Sequence, residues 1–198
     1  MSYTETYRDL CHGKDEKSAV SIIENGFEIR GSSSSWCGKG IYFYDIKKKA
    51  WWSAGRTCNC IKKQTGEKLK PAVIFADILN IQDNDIFDLR TEKDLMHFEE
   101  ATKKLFGNYK IVFRDEEDET ERKIKLRAML ISYYSDVFNK KLVIGTFRQR
   151  PQPKYEHAIE FSNSLDMIFG IETIYCVKDT DIIKNVRVGG KDNGKNGD

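Results

Sequence analysis

Alternating and continuous apolar runs along the chain predict several short strands. Residues 41–44 pair β-branched and aromatic side chains, which predicts a strand with Ile41 and Phe43 on one face and Tyr42 and Tyr44 on the other. Residues 72–81 are apolar almost throughout, as in a strand at the centre of a sheet. Further strands are predicted at 7–13, 155–161, 172–177 and 181–188, with a short extended piece at 27–29.

Apolar residues at helical spacing predict four helices, at 18–25, 47–54, 91–106 and 122–139. Gly26 follows the first helix, where a C-cap favours a left-handed residue. Residues 59–70 read as a basic polar loop, and residues 189–198 as a disordered tail. The side chains predicted to face inward from the last two helices are Leu95, Phe98, Thr102, Leu105, Ile124, Met129, Ile131, Tyr134 and Phe138.

This pattern indicates an α+β chain in which two packed, mostly antiparallel sheets carry helices at the rim. A length of 198 residues predicts one domain over residues 1–188. The formal charge of +2 excludes nonspecific attraction of the whole molecule to nucleic acid, so such binding needs a local basic patch.

Cysteine usage and hydropathy predict a cytoplasmic protein without a metal. The five cysteines lack a disulfide-framework spacing, and the chain shows neither a signal peptide nor a membrane span. Cys58 and Cys60 have no second Cys/His pair at ligand spacing, so no zinc site is expected.

The segment 38–52 is the candidate for chemistry. Gly38 and Gly40 permit backbone approaches that a β-carbon forbids, and an aromatic strand and a helix bearing Trp51 and Trp52 follow them. Two aromatic rings can sandwich a flat heteroaromatic ligand. The alternative is a buried aromatic strand and helix in a core. Neither the Rossmann fingerprint nor a Walker phosphate loop is present in the sequence.

Five segments, taken in chain order, resemble the catalytic domain of PARP-like ADP-ribosyltransferases. They are His12-Gly13, GFEIRG, GKGIYFYD, KKAWW and YEHAIEF, and GKGIYF is the most specific. This family is the diphtheria-toxin-like group with a His-Tyr-Glu triad. The resemblance implies the ADP-ribosyltransferase fold, NAD as co-substrate and no metal.

The resemblance implies a role for each matching residue in binding NAD. His12 corresponds to the triad histidine that contacts the adenosine-side ribose, and Gly13 to the residue whose backbone grips the nicotinamide carboxamide. Tyr42 corresponds to the triad tyrosine that stacks on nicotinamide, and Gly40 lies in the same cofactor-binding segment. Trp52 falls at the second stacking aromatic if the helix entry is one residue shorter here.

The resemblance implies that Glu156 is the triad glutamate, with Glu160, on the same strand face, as the alternative. Cleavage of the nicotinamide–ribose bond builds positive charge on the ribose, which a carboxylate stabilises while it helps to activate the acceptor. Two departures from the family are Lys14, where it usually has Ser or Thr, and Lys49, where it often has a hydroxyl.

These assignments predict a mono-ADP-ribosyltransferase acting on a macromolecular acceptor. Two basic segments favour nucleic acid slightly over protein as that acceptor. No helical regulatory domain precedes the catalytic segments, which is typical of a small stand-alone toxin or anti-phage effector, and a neutralising antitoxin protein is an expected partner of such an enzyme. The two basic segments that favour a nucleic acid acceptor contain Lys62, Lys63, Lys68 and Lys70, and Arg148, Arg150 and Lys154.

Three other functions fit the same residues. A non-catalytic module on this fold would bind NAD or an ADP-ribosyl group, or act as an interaction domain, without releasing nicotinamide. An NAD glycohydrolase would use water as the acceptor. An enzyme that removes an RNA 2′-phosphate with NAD would need a strong phosphate site beside the pocket.

Overall fold

The computed structural model describes residues 3–29, 35–107, 119–148 and 171–189. Over these residues the chain is α+β, with seven strands and four α-helices. The strands are β1 Thr4–Asp15, β2 Ile41–Tyr44, β3 Pro71–Gln82, β4 Ile86–Asp88, β5 Leu142–Arg148, β6 Ile171–Val177 and β7 Ile183–Val188. The helices are α1 Glu16–Asn25, α2 Lys47–Thr65, α3 Glu92–Phe106 and α4 Glu119–Val137.

The chain divides into two compact units. The first unit comprises Met1–Tyr3, Ile29–Tyr42 and Gln82–Asp179, and the second comprises Thr4–Glu28, Phe43–Ile81 and Thr180–Asp198. The division falls inside β2, after Tyr42. Each unit contains helices and strands of its own and is described separately below.

In the first unit, helices α3 and α4 pack beside the strands β4, β5 and β6. Strand β4 runs parallel to β5, and β5 pairs antiparallel with β6 over its whole length. An aromatic cluster joins the helices to β4, because the Tyr134 ring lies 4.3 Å from Phe87 and 5.3 Å from Phe98. His97 Nδ1 and the Tyr134 hydroxyl are 2.5 Å apart, a polar contact at the edge of this cluster.

In the second unit, the strand order is β2-β1-β3-β7, with helix α2 packed on β1. Helix α2 buries a stripe of small residues, Ala50, Ala54 and Cys58, at intervals of four. Its C-terminus is capped by Gly66, whose φ of 77° is left-handed. Asp15 caps α1 by accepting a hydrogen bond from Ser18 N at 2.9 Å.

A buried carboxylate organises the edge of the second unit. Asp77 lies on β3 at a register shift opposite β7, and it accepts hydrogen bonds from Asp9 N and Asn185 Nδ2, both at 2.8 Å. Arg187 Nη1 lies 3.8 Å from Asp77 Oδ1, and Arg187 also pairs with Asp9. Asp9 and Asn185 take left-handed φ values of 55° and 52°, conformations that short polar side chains tolerate best.

The expected α+β class is confirmed, but the strands of the described residues belong to one mixed sheet, whereas the sequence suggested two mostly antiparallel ones. The parallel pairing of β4 with β5 makes the sheet mixed. Neither of these strands was among the sequence predictions. Apolar patterning shows which face of a strand is buried, whereas the pairing of distant strands depends on contacts that patterning does not encode.

Helix α2 extends well past its predicted end, so the prediction of a loop from residue 59 is wrong as far as Thr65. The buried spacing of the small residues carries on to Cys58, and Gly66 then ends the helix. Lys62 and Lys63 therefore lie in the last helical turn, where cations interact favourably with the helix dipole.

Predictions of burial on α3 and α4 were only partly right. Ile131 and Tyr134 are buried as expected, whereas Leu95 and Met129 are 45% and 40% exposed. The predicted strand at 155–161 lies outside the described residues, as does nearly all of the predicted tail. The single domain over residues 1–188 stays a prediction.

Candidate functional site

Positions 38 and 40, in the turn before Tyr42, leave no room for a side chain. Gly38 has a φ of 75°, and a β-carbon there would lie 1.7 Å from Ser132 Oγ. A β-carbon on Gly40 would lie 2.4 Å from Cys176 Sγ and 2.8 Å from the Val177 carbonyl oxygen. Packing within the first unit therefore explains both glycines, because they allow the turn to lie close against α4 and β6.

The hydroxyl of Tyr42 holds this turn in place. It accepts a hydrogen bond from Cys37 N at 3.0 Å and donates one to the Gly38 carbonyl. Burial raises the pKa of Tyr42 well above its ordinary value, helped by the nearby Cys176 and Cys37 thiols, so the hydroxyl stays protonated. A role for Tyr42 in stacking on a ligand would therefore belong to its ring, since its hydroxyl is engaged in the turn.

Two buried thiols and an ammonium group lie behind the turn. The side chains of Cys37 and Cys176 are both completely buried. Lys178 Nζ donates to the Cys37 carbonyl at 2.6 Å and to the Lys39 carbonyl. Burial acts to raise the pKa of Cys176, but hydrogen bonds with Cys37, Tyr42 and Lys178 and the charge of Lys178 lower it overall.

An arginine of α4 lies between two aromatic rings of the same unit. The Arg127 guanidinium is 4.6 Å from the Trp36 ring centroid and 4.9 Å from that of Phe147, and its Nε donates to the Trp36 carbonyl at 3.3 Å. Burial lowers its pKa. The buried Nη2 atom has no hydrogen-bond partner among the described residues.

Glu172 is a buried carboxylate that the sequence analysis did not propose as a site residue. It is the second residue of β6, only 6% exposed, and pairs in register with Phe147 of β5. Side chains alternate along a strand, so Glu172 and Cys176 share one face, with about 13 Å of strand between their Cα atoms. The signal that could have identified it is a glutamate opening a β-branched and aromatic strand, the same signal that was used for Glu156.

In the second unit, His12 and Gly13 are adjacent on β1 and enclosed by apolar groups. The half-buried His12 ring packs edge-on against Phe27 at 5.3 Å and lies 5.6 Å from Phe43. A β-carbon on Gly13 would lie 2.0 Å from the Ala50 carbonyl oxygen. Gly13 thus allows α2 to approach β1 closely, a structural reason for glycine that is independent of ligand binding.

The two adjacent tryptophans of α2 face in different directions, as their spacing requires. Trp51 packs against the buried cluster of Cys11, Ala50 and Val73. Trp52 is 47% exposed, and the Arg56 guanidinium lies 5.0 Å from the centroid of its ring. Because 200° of helical rotation separates Trp52 from Ala50, its ring points away from the side of α2 that meets Gly13.

The predicted site residues are therefore distributed as follows. Gly40 and Tyr42 lie together in the first unit, and His12 and Gly13 lie together in the second. Trp52 is on the outer side of α2, and Glu156 and Glu160 lie outside the described residues.

The described ranges contain no group of three or more His, Cys, Asp or Glu side chains that could bind a metal ion. The helices in those ranges include none that is both long and apolar enough to traverse a bilayer. All five cysteines are free, and of these only Cys60 is exposed.

No protein-family model matches this chain, and searches of curated proteins and of solved structures gave no significant match.

Proposed function

We propose that the chain is an NAD-dependent ADP-ribosyltransferase of the PARP-like group, acting on a macromolecular acceptor. The observation that carries this proposal is the buried Glu172 on the β6 face that also bears Cys176, whose sulfur lies against Gly40 in the turn before Tyr42. In cleavage of a nicotinamide–ribose bond, a carboxylate stabilises the charge that develops on the ribose, and an aromatic ring can stack on nicotinamide.

The reaction follows from the chemistry of these groups. The Tyr42 ring stacks on nicotinamide, which leaves with the electron pair of the carbon–nitrogen bond. The carboxylate stabilises the positive charge that develops on the ribose and takes the proton of the attacking acceptor. The roles that the resemblance implies for His12 and Gly13, which lie in the second unit, stay predictions.

Glu172 is our choice for this carboxylate within the described residues, and Glu156 and Glu160 are the candidates from the sequence. Glu172 is the second residue of β6, and Thr173, Ile174 and Tyr175 follow it, which is similar to the pattern of a triad glutamate near the start of a strand. Its position on a strand paired along its whole length gives the carboxylate a rigid support. Trp52 is the weakest of the proposed nicotinamide contacts, because it lies on the outer side of α2.

The acceptor is proposed to be nucleic acid rather than protein. Lys62, Lys63, Lys68 and Lys70 are all exposed and lie close in sequence at the end of α2 and in the segment that follows. Such a local basic patch supplies the phosphate contacts that the small net charge does not provide. A neutralising partner protein remains part of this proposal, since unrestrained transfer would be toxic.

The test uses NAD radiolabelled on the adenylate phosphate, incubated with purified protein and a cell lysate. Nicotinamide release is measured, and the labelled products are digested separately with nuclease and with protease. We expect release by the wild type, and label that nuclease removes. Glu172→Gln should lower release at least about 100-fold, the scale expected of a general base, whereas the matched variants Glu156→Gln and Glu160→Gln should retain it.

Each alternative gives a different result in the same assay. Protease-sensitive label would identify a protein acceptor, and free ADP-ribose without labelled macromolecule would identify an NAD glycohydrolase. Loss of release in Glu156→Gln alone would return the catalytic role to that residue. Bound NAD without any nicotinamide release would support the non-catalytic module and contradict the enzyme.

A further inference from the structure

Helix α2 carries cations that the stability of the helix does not explain. Over Lys47–Thr65 it contains six lysine or arginine residues and no aspartate or glutamate. Its first turn holds three lysines, although the helix dipole favours acidic side chains there. Only the two lysines of the last turn suit the dipole. The six cations are Lys47, Lys48, Lys49, Arg56, Lys62 and Lys63.

Five exposed side chains of α2 form a stripe along its outer side. They recur at intervals of four, four, three and four residues, so they lie within about 80° of one another around the helix axis. The buried Ala50 and Ala54 lie on the opposite side. The stripe is about 22 Å long, the length of roughly six stacked nucleotides. The residues of this α2 stripe are Lys48, Trp52, Arg56, Asn59 and Lys63.

Trp52 adds an aromatic surface to the charge of the α2 stripe. It is 47% exposed, even though the Arg56 guanidinium lies 5.0 Å from the centroid of its ring. An exposed indole ring can stack on any nucleobase, and a neighbouring guanidinium adds a cation–π contact and a ligand for phosphate. Such stacking needs an unpaired base, because the bases of a duplex are stacked on one another. The ring therefore favours a single strand over a duplex.

The cations of the α2 stripe are available to bind phosphate groups. Within the described ranges, Lys48, Arg56 and Lys63 form no ion pair with a carboxylate. The first acidic residue after the helix, Glu67, pairs with Lys17 of α1. The stripe thus presents a row of positive charge that no acidic side chain of the described residues neutralises directly.

We propose that the α2 stripe binds single-stranded nucleic acid, with a nucleobase stacked on Trp52 and the phosphates bound by the cations of the stripe. As the acceptor surface of the transferase, the stripe rests on the proposed function, and it specifies the form of the acceptor as an unpaired strand. This role suits the position of Trp52 on the outer side of α2. Binding itself needs no NAD, so the two proposals can fail separately.

The test measures binding of fluorescently labelled oligothymidylate and oligouridylate to the full chain by anisotropy, without NAD. Strands of about 12 nucleotides suit a surface of this length. We expect both strands to bind more tightly than a duplex of the same length at the same salt concentration. The tighter of the two strands identifies the sugar that the surface takes.

Substitution of the ring tests the stacking contact. Trp52→Ala should weaken strand binding about 5- to 150-fold, the loss typical of one stacked base, whereas Trp52→Phe should lose much less because it keeps an aromatic face. The matched variant Tyr3→Ala removes an exposed ring outside α2 and should bind as tightly as the wild type.

Substitution of two lysines tests the phosphate contacts. The double variant Lys48→Gln and Lys63→Gln should reduce the slope of log K against log salt concentration by about 1.4, since each contact with a single strand contributes about 0.7. The double variant Lys103→Gln and Lys104→Gln changes the net charge equally on α3, where both lysines pair with glutamates of the same helix. It should leave the slope unchanged.

Unchanged affinity in Trp52→Ala would overturn the proposal, as would equal binding of duplex and single strand, or binding of phosphatidylserine vesicles in place of either strand. Loss of NAD binding in Trp52→Ala with unaffected strand binding would return the residue to the nicotinamide site and overturn it too. Strand binding that depends on Trp52, without any nicotinamide release, would support the α2 stripe and contradict the transferase. Nicotinamide release with strand binding independent of Trp52 would do the reverse.

Discussion

The two units each contain a buried polar cluster, and the clusters differ in how their charges are neutralised. In the second unit, Asp77 receives two hydrogen bonds and faces the cation of Arg187. In the first unit, Arg127 and Lys178 lie beside thiols, aromatic rings and backbone carbonyls. Within the part of the chain that the structure describes, no carboxylate contacts either of these two cations.

This difference separates a structural role from a functional one. A fully paired cluster such as that of Asp77 fixes a local backbone arrangement, here the register shift of β3 against β7. Partly buried cations beside ionisable thiols and a tyrosine instead perturb pKa values, and perturbed pKa values are frequent at functional sites. We therefore propose a structural role for the cluster of the second unit and a chemical role for that of the first unit.

The largest expected effect is the difference in stability between substituting a packed glycine, Gly38, and an exposed one, Gly66. Gly38→Ala should lower the free energy of unfolding by more than about 3 kcal/mol, because the new methyl group combines a left-handed φ with a clash against Ser132. The matched control Gly66→Ala has nearly the same φ of 77° but no atom within 4 Å of the added carbon, so it should lose only about 1 kcal/mol. Chemical denaturation of both variants measures the difference.

Equal losses in these two variants would show that the turn is not packed as described. The first cluster would then lack the rigid support that its proposed chemistry needs.

An intermediate effect is expected at Asp77, with a defined pH dependence. Burial tends to raise the pKa of Asp77, but the hydrogen bonds from Asn185 and Asp9 N and the charge of Arg187 lower it overall. A lowered folded-state pKa stabilises the protein above the unfolded value, about 3.9, and this contribution is lost as the pH falls through the folded-state pKa. Asp77→Asn should therefore lose about 2 kcal/mol at pH 7 and much less near pH 3.

Denaturant titrations of the wild type and Asp77→Asn at a series of pH values make this measurement. A stability difference that stayed constant from pH 7 to pH 3 would contradict the structural role given to this carboxylate.

The smallest expected effect is the difference in stability between substitutions of Arg187 and of Arg127. Arg187→Met should lose about 1–2 kcal/mol, since it removes the cation facing Asp77. Arg127→Met should remain within about 0.5 kcal/mol of the wild type, because the lost ring and carbonyl contacts are offset by relief of a buried charge without a carboxylate partner. Thermal and urea unfolding of the two variants compare them directly, and a larger loss at Arg127 would reverse the contrast between the clusters.

The sequence pattern predicted those strands and helix caps that depend only on neighbouring residues. The strand at Ile41–Tyr44 and the cap at Gly26 were predicted correctly, because pleat alternation and the freedom of glycine are properties of neighbouring residues. The course of α2 past Ala54 was missed because its buried stripe consists of small residues rather than large apolar ones.

The site was harder to predict than the elements. Tyr42 was proposed as a site residue from the family resemblance, whereas the contacts of the preceding turn with Cys176 and Lys178 join segments more than a hundred residues apart. Glu172 was recorded only as part of a strand, since a glutamate at a strand start is ordinary until its burial is known. Spacing along the chain reveals neither burial nor long-range contact.

The most direct test of the account is nicotinamide release from NAD by the wild type and by Glu172→Gln, with NAD binding measured on the same samples. The account predicts that both proteins bind NAD and that only the wild type releases nicotinamide at a substantial rate. Equal release by the two proteins would contradict the role of Glu172, and binding without release by the wild type would contradict the proposed transferase.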